Sequence, residues 1–110
     1  MKVAYIFSST TSQKILDNMI IPQLEGDTHG AEVAGMFFFM DNTYFLLDGS
    51  ELGERLRQIQ EKNGMLLMAC DKCAIERGIE NKLISGAKIG CFPQLYAALG
   101  GAGIDQVITL

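Results

Sequence analysis

The apolar residues of this chain gather in short, unbroken runs, and that pattern constrains its fold more than any other feature. Residues 3–7 form the first run, 32–39 contain the second (Met36, Phe37, Phe38, Phe39) and 65–69 the third, while Val107-Ile108-Thr109-Leu110 reads as a last strand. A strand with one face in water alternates apolar and polar residues, whereas a strand buried on both faces does not. Between these runs the apolar residues fall at helical spacing. Ile15, Leu16, Met19 and Ile20 make one stripe after a Ser12 cap, and Leu52, Leu56 and Ile59 make another after Ser50. Strands alternating with helices predict an α/β domain, a three-layer αβα sandwich around a doubly wound, mainly parallel sheet of about five strands.

The punctuation fits that reading. Pro22 is expected to stop or kink the first helix, because it lacks an amide proton. Residues 25–30 read as a turn with His29 exposed in it, and Asn63-Gly64 closes the second helix. The stretch 43–47 has no helical periodicity and is expected to lie over a surface or at a subunit contact. A short helix should start near Asp71 and stop at Gly78, and Ala87-Lys88-Ile89-Gly90 reads as a short fourth strand. Pro93 suits the first turn of a last helix carrying Leu95 and Leu99. There is no linker, repeat or low-complexity tract, so residues 1–110 read as a single domain.

Net charge is −4 with no block of like charges, which argues against nucleic acid as a partner. No apolar run approaches the roughly 18 residues of a membrane span, and the amino-terminal run is too short for a signal peptide. A cytoplasmic protein without membrane contact is the expectation. Apolar residues make up 48 % of the chain with 12 glycines besides. That richness predicts apolar surface buried against another subunit.

Chemistry is most concentrated at Cys70-Asp71-Lys72-Cys73, directly after the third apolar run. Ligands in α/β proteins collect at the carboxyl ends of strands, near a topological switch point. Cys70 stands at such an end and at a predicted helix start, where unpaired amides and partial positive charge favour a thiolate or a persulfide. Lys72 adds positive charge and Asp71 opposes it. Two thiols at this spacing can form a disulfide, share a metal, divide the roles of acceptor and resolver, or simply pack. Zinc needs a second ligand pair that the sequence does not place nearby, so neither metal nor cofactor is expected. Cys91 follows Gly90 before the last helix and reads as a small residue in a tight turn. Ser9 and Thr10, after the first strand, could offer hydroxyls and amides to an anion, and Arg77 could hold an anionic sulfur species or enter an ion pair.

The segment Cys70-Asp71-Lys72-Cys73-Ala74-Ile75-Glu76-Arg77-Gly78-Ile79 resembles the cysteine segment of the DsrE/DsrF-like proteins, including the YchN-like group and the TusD sulfur-relay subunit. In that family a strand ends in Cys and Arg-Gly-Ile or Arg-Gly-Val follows seven residues later, the register of Arg77-Gly78-Ile79 here. Residues 83–90 and 105–110 are also similar to YchN-like sequences. Ser8-Ser9-Thr10-Thr11-Ser12 departs from the Gly- and Pro-containing loop of many relatives. The resemblance implies a doubly wound α/β fold and a homo-oligomer, a trimer or hexamer. It implies that Cys70 carries sulfur as a persulfide between donor and acceptor proteins or small sulfur species, and the YchN-like members share the second cysteine, here Cys73. Three functions stay open: sulfur carrier or sulfurtransferase, Cys70/Cys73 dithiol redox protein, and non-enzymatic oligomeric binding module.

Overall fold

The first three apolar runs become strands whose side chains serve two cores. The computed structural model describes residues 1–110. Its strands are β1 (Lys2–Phe7), β2 (Glu32–Phe38), β3 (Leu66–Cys70), β4 (Ala87–Gly90) and β5 (Gln106–Thr109). They form one five-stranded sheet in the order β4-β3-β2-β1-β5, with every neighbouring pair parallel. The sheet has helices on both sides.

Val3, Tyr5 and Phe7 of β1 join Met36 and Phe38 of β2 and Leu67 and Ala69 of β3 in the larger core. Helix α1 (residues 12–25) and helix α2 (Glu51–Asn63) cover this face, α1 through Leu16, Ile20 and Ile21, α2 through Leu56 and Ile59. Phe7 and Phe38 stack here with ring centroids 5.1 Å apart, and neither is exposed. Burying one such side chain contributes about 1.5–3 kcal/mol. The alternate residues, Phe37, Met68 and Cys70, face the other way and pack with Leu95 of helix α4 (Phe92–Leu99).

Strand order explains this division. Each crossover from β1 to β4 steps in the same direction, and right-handed crossovers then place α1 and α2 on one face. The step from β4 to β5 crosses the whole sheet in reverse, which puts α4 on the opposite face. The one long helix on that second face has eight residues, and it packs there beside Cys73. Every residue of β5, the expected last strand, is exposed, including Val107 and Ile108.

Three local expectations need correction. The first helix does not stop at Pro22. Residues Leu16–Ile20 form a π-helical turn and Pro22 opens the α-helical stretch Ile21–Glu25, where its missing amide proton costs little. Residues Met40–Leu46 form a 3-10 helix, closed by Asn42 Nδ2 donating to the Phe39 carbonyl and Thr43 Oγ1 to the Met40 carbonyl. His29 is half-buried: its Nδ1–H donates to Gln23 Oε1 at 2.9 Å, and the Tyr5 hydroxyl donates to its Nε2 at 2.8 Å. That assignment follows from the one tautomer that serves both partners.

Candidate functional site

The candidate site sits where β3 runs out of sheet. Strand geometry ends at Cys70, which becomes the N-cap of a short helix, α3 (Asp71–Glu76). In place of the usual Ser, Thr or Asp, a thiol performs the capping: the Cys73 N–H donates to Cys70 Sγ at 3.4 Å. The spacing of two intervening residues is the spacing this bond requires. Gly78, with φ of +67°, follows the helix as its left-handed stop.

Burial works against that bond. Cys70 is 5 % exposed and Cys73 is 6 % exposed, both inside the cluster of Phe37, Met68 and Leu95. Burial pushes the Cys70 thiol up to about 11, with the Cys73 thiol beside it adding in the same direction and the Cys73 amide opposing. The expected thiolate is thus a thiol at neutral pH, since desolvation outweighs one amide at the mouth of a six-residue helix. All three cysteines are free.

Arg77 lies behind α3 with its side chain 18 % exposed. Its Nη1 donates to the Cys73 carbonyl at 3.1 Å, and its Nε donates to Asp41 Oδ1 at 2.9 Å. It braces the cysteine helix against the 3-10 segment. Asp41 is the member of this arrangement that sequence reasoning missed. No local signal could reveal it, because the pair is 36 residues apart.

Cys91 is nearer than its place in the sequence suggests. Gly90 of β4 is the register partner of Cys70, so Cys91 sits one residue past it. It is the N-cap of α4, with its N–H donating to Gln94 Oε1 at 2.8 Å. Gly90 permits this closeness: a Cβ there would lie 2.8 Å from Gln94 Cβ and 3.1 Å from Met68 Sδ.

Other residues singled out by sequence fall elsewhere. Lys72 is exposed and is not among the groups that shift Cys70. Ser9 and Thr10 follow β1, two strands from β3. The amides of Ser8 and Ser9 already donate to the Leu110 carbonyl, and Ser9 Oγ pairs with Thr11 Oγ1. Thr10 lines an open cleft of about 700 Å³ together with Gln13, Asp41, Asn42, Tyr44 and Ser50. The winding of the sheet reverses between β1 and β5, so Cys70 is at the carboxyl edge but not at the switch point.

A sequence model of the DsrE/DsrF-like family matches residues 1–109. The chain belongs to that family. Its fold is similar to that of the YchN protein from E. coli, with a TM-score of 0.70 and 21 % identity over 99 % of this chain and 97 % of that one. It also resembles MTH1491, a protein of unknown function from Methanobacterium thermoautotrophicum. There the TM-score is 0.71 and the identity 12 %, over 99 % of this chain and 98 % of that one. BT1422 from Bacteroides thetaiotaomicron, a conserved protein of unknown function, matches with a TM-score of 0.61 and 12 % identity over 98 % and 94 % of the two chains. No curated protein matches the chain. At these identities the solved structures speak for the fold alone. No helix of the chain is long and apolar enough to cross a membrane.

Proposed function

We propose that this DsrE/DsrF-like chain handles sulfur, accepting it on Cys70 as a persulfide and passing it on to a thiol or other sulfur acceptor. The observation that carries the reading is the capping bond: Cys70 Sγ ends a strand at the carboxyl edge and accepts the Cys73 N–H. A persulfide extends one sulfur beyond Sγ, toward the amides of the helix start. Negative charge spread over two sulfurs gains more from those amides than the resting thiol does. The resting group is protonated and covered, which suits a carrier that must not react with every oxidant it meets.

Peptide mapping after incubation with inorganic polysulfide tests this. One added sulfur atom is expected on Cys70, removable by a small thiol. A Cys70 that stays unmodified under these conditions overturns the proposal.

A second reading has its own support. Cys70 and Cys73 share one apolar cluster, with the Cys73 N–H donating to Cys70 Sγ, a fit start for a reversible disulfide. Mild oxidation that leaves both thiols free removes it. For either chemistry we propose a homo-oligomer, a trimer or hexamer as the family resemblance implies. Phe92, Tyr96 and Val107 stand exposed around the thinly covered face of the sheet and supply apolar surface for it.

A further inference from the structure

Sulfur bound for Cys70 has an access problem. Cys70 and Cys73 are both nearly sealed, and burial keeps Cys70 protonated at neutral pH. A donor in solvent therefore meets a covered, un-ionised group, the poorest kind of nucleophile a cysteine can be. Neither Lys72 nor Arg77 relieves this, the one being remote in its effect and the other committed to Asp41 and the Cys73 carbonyl.

Cys91 is the remaining thiol in reach, and the sheet itself puts it there. Cys70 pairs with Gly90 across the β3–β4 ladder. Strand spacing and one residue step then set the two cysteine Cα atoms about 6 Å apart. Cys91 differs from the other two in one respect that matters: it is half-buried, not sealed. Its backbone is held by Gln94 at the start of α4, the helix that also supplies Leu95 to the cover over Cys70.

We infer that Cys91 is the receiving thiol of this site: it takes a sulfur atom from a solvent-borne polysulfide or persulfide donor and hands it inward to Cys70. This deepens the sulfur-carrier reading and rests on it. In the first step Cys91 Sγ bonds to a terminal sulfur of the donor, the S–S bond behind that sulfur breaks, and the donor leaves one sulfur shorter, its new terminal sulfur taking the proton that Cys91 gives up. In the second, Cys70 Sγ attacks the outer sulfur of the Cys91 persulfide. A new S–S bond forms at Cys70 and the one at Cys91 breaks. The Cys70 proton passes to Cys91 Sγ, the leaving sulfur. Nothing is oxidised or reduced overall, and no external base has to ionise Cys70, because the sulfur that departs is the one that takes its proton.

Time-resolved peptide mapping with inorganic polysulfide as the probe tests the order. In the parent protein the added sulfur is expected on Cys91 first and on Cys70 afterwards. Cys91→Ser should fold, since serine is a favoured N-cap, and should slow the arrival of sulfur on Cys70 by about tenfold or more. Cys70→Ser should leave the sulfur on Cys91. Loading of Cys70 at the parental rate in Cys91→Ser, or sulfur on Cys70 before Cys91 in the parent, overturns this role while leaving Cys70 as a carrier. A Cys70 that is never loaded, even on long incubation, removes the carrier reading and this inference with it.

Discussion

The Cys73 amide and the Cys70 sulfur are 3.4 Å apart, yet burial outweighs the contact and raises the Cys70 thiol to about 11. The pH dependence follows with a definite sign. The unfolded chain loses this proton near the ordinary cysteine value and the folded chain only near 11, so between the two the unfolded state binds fewer protons. Stability conferred by the buried thiol is complete at neutral pH and is lost as pH rises toward 11, by on the order of 2–3 kcal/mol. Urea melts at pH 8 and pH 10 check this: the alkaline loss should shrink in Cys70→Ala.

Leu95 is the lid on that thiol. It is 4 % exposed and shares the small cluster with Phe37, Met68, Cys70 and Cys73. Leu95→Ala should cost about 2–4 kcal/mol as a core truncation. It should also admit water to Cys70, lower its pKa and speed its alkylation by iodoacetamide at pH 7.5. Alkylation followed at Cys70 by peptide mapping separates the two effects, because a merely destabilised protein would expose Phe7 and the larger core to hydrogen exchange as well.

Much of the architecture is legible in the sequence, for reasons that are local. Ser50 caps α2 through the Gly53 amide at 3.0 Å, and Gly64 ends it at φ of +74°, as Ser and Asn-Gly announce. The unbroken runs at 3–7 and 65–69 become β1 and β3 because both faces of the central strands are covered. What is not legible depends on partners far away in the chain. Residues 107–110 read as a strand, but their place at the sheet edge is a matter of strand order and not of composition. The 3-10 segment at 40–46 is written in side chain-to-backbone bonds of Asn42 and Thr43, which leave no periodicity. The position of Cys70 at a strand end and helix start is readable, but its sealing by Leu95, 25 residues on, is not.

The Arg77–Asp41 brace makes an asymmetric prediction. Asp41 has a side chain 72 % exposed, so Asp41→Ala loses a screened pair worth roughly 0–1 kcal/mol. Arg77→Ala loses that pair and the bond to the Cys73 carbonyl together, and should cost about 1–2 kcal/mol. Denaturant melts of the two single variants and the double variant measure the difference. Equal costs for both single changes would mean that the bond to the cysteine helix contributes nothing.

His29 titrates at the opposite end of the sheet, and being the only histidine it can be followed without ambiguity. Desolvation holds its pKa below the ordinary histidine value. Protonating it would also cost the bond in which the Tyr5 hydroxyl donates to Nε2, since that nitrogen would become a donor itself. The unfolded state therefore binds the proton more readily. Stability from this pair is present above the ordinary histidine value of about 6.5 and is lost as pH falls through the depressed one. The ring-proton resonance should titrate below pH 6.5 in the parent and closer to it in Tyr5→Phe, which removes the hydroxyl that holds Nε2 as an acceptor. A parent titration at or above the ordinary value would mean that the Tyr5–His29–Gln23 chain does not persist in solution.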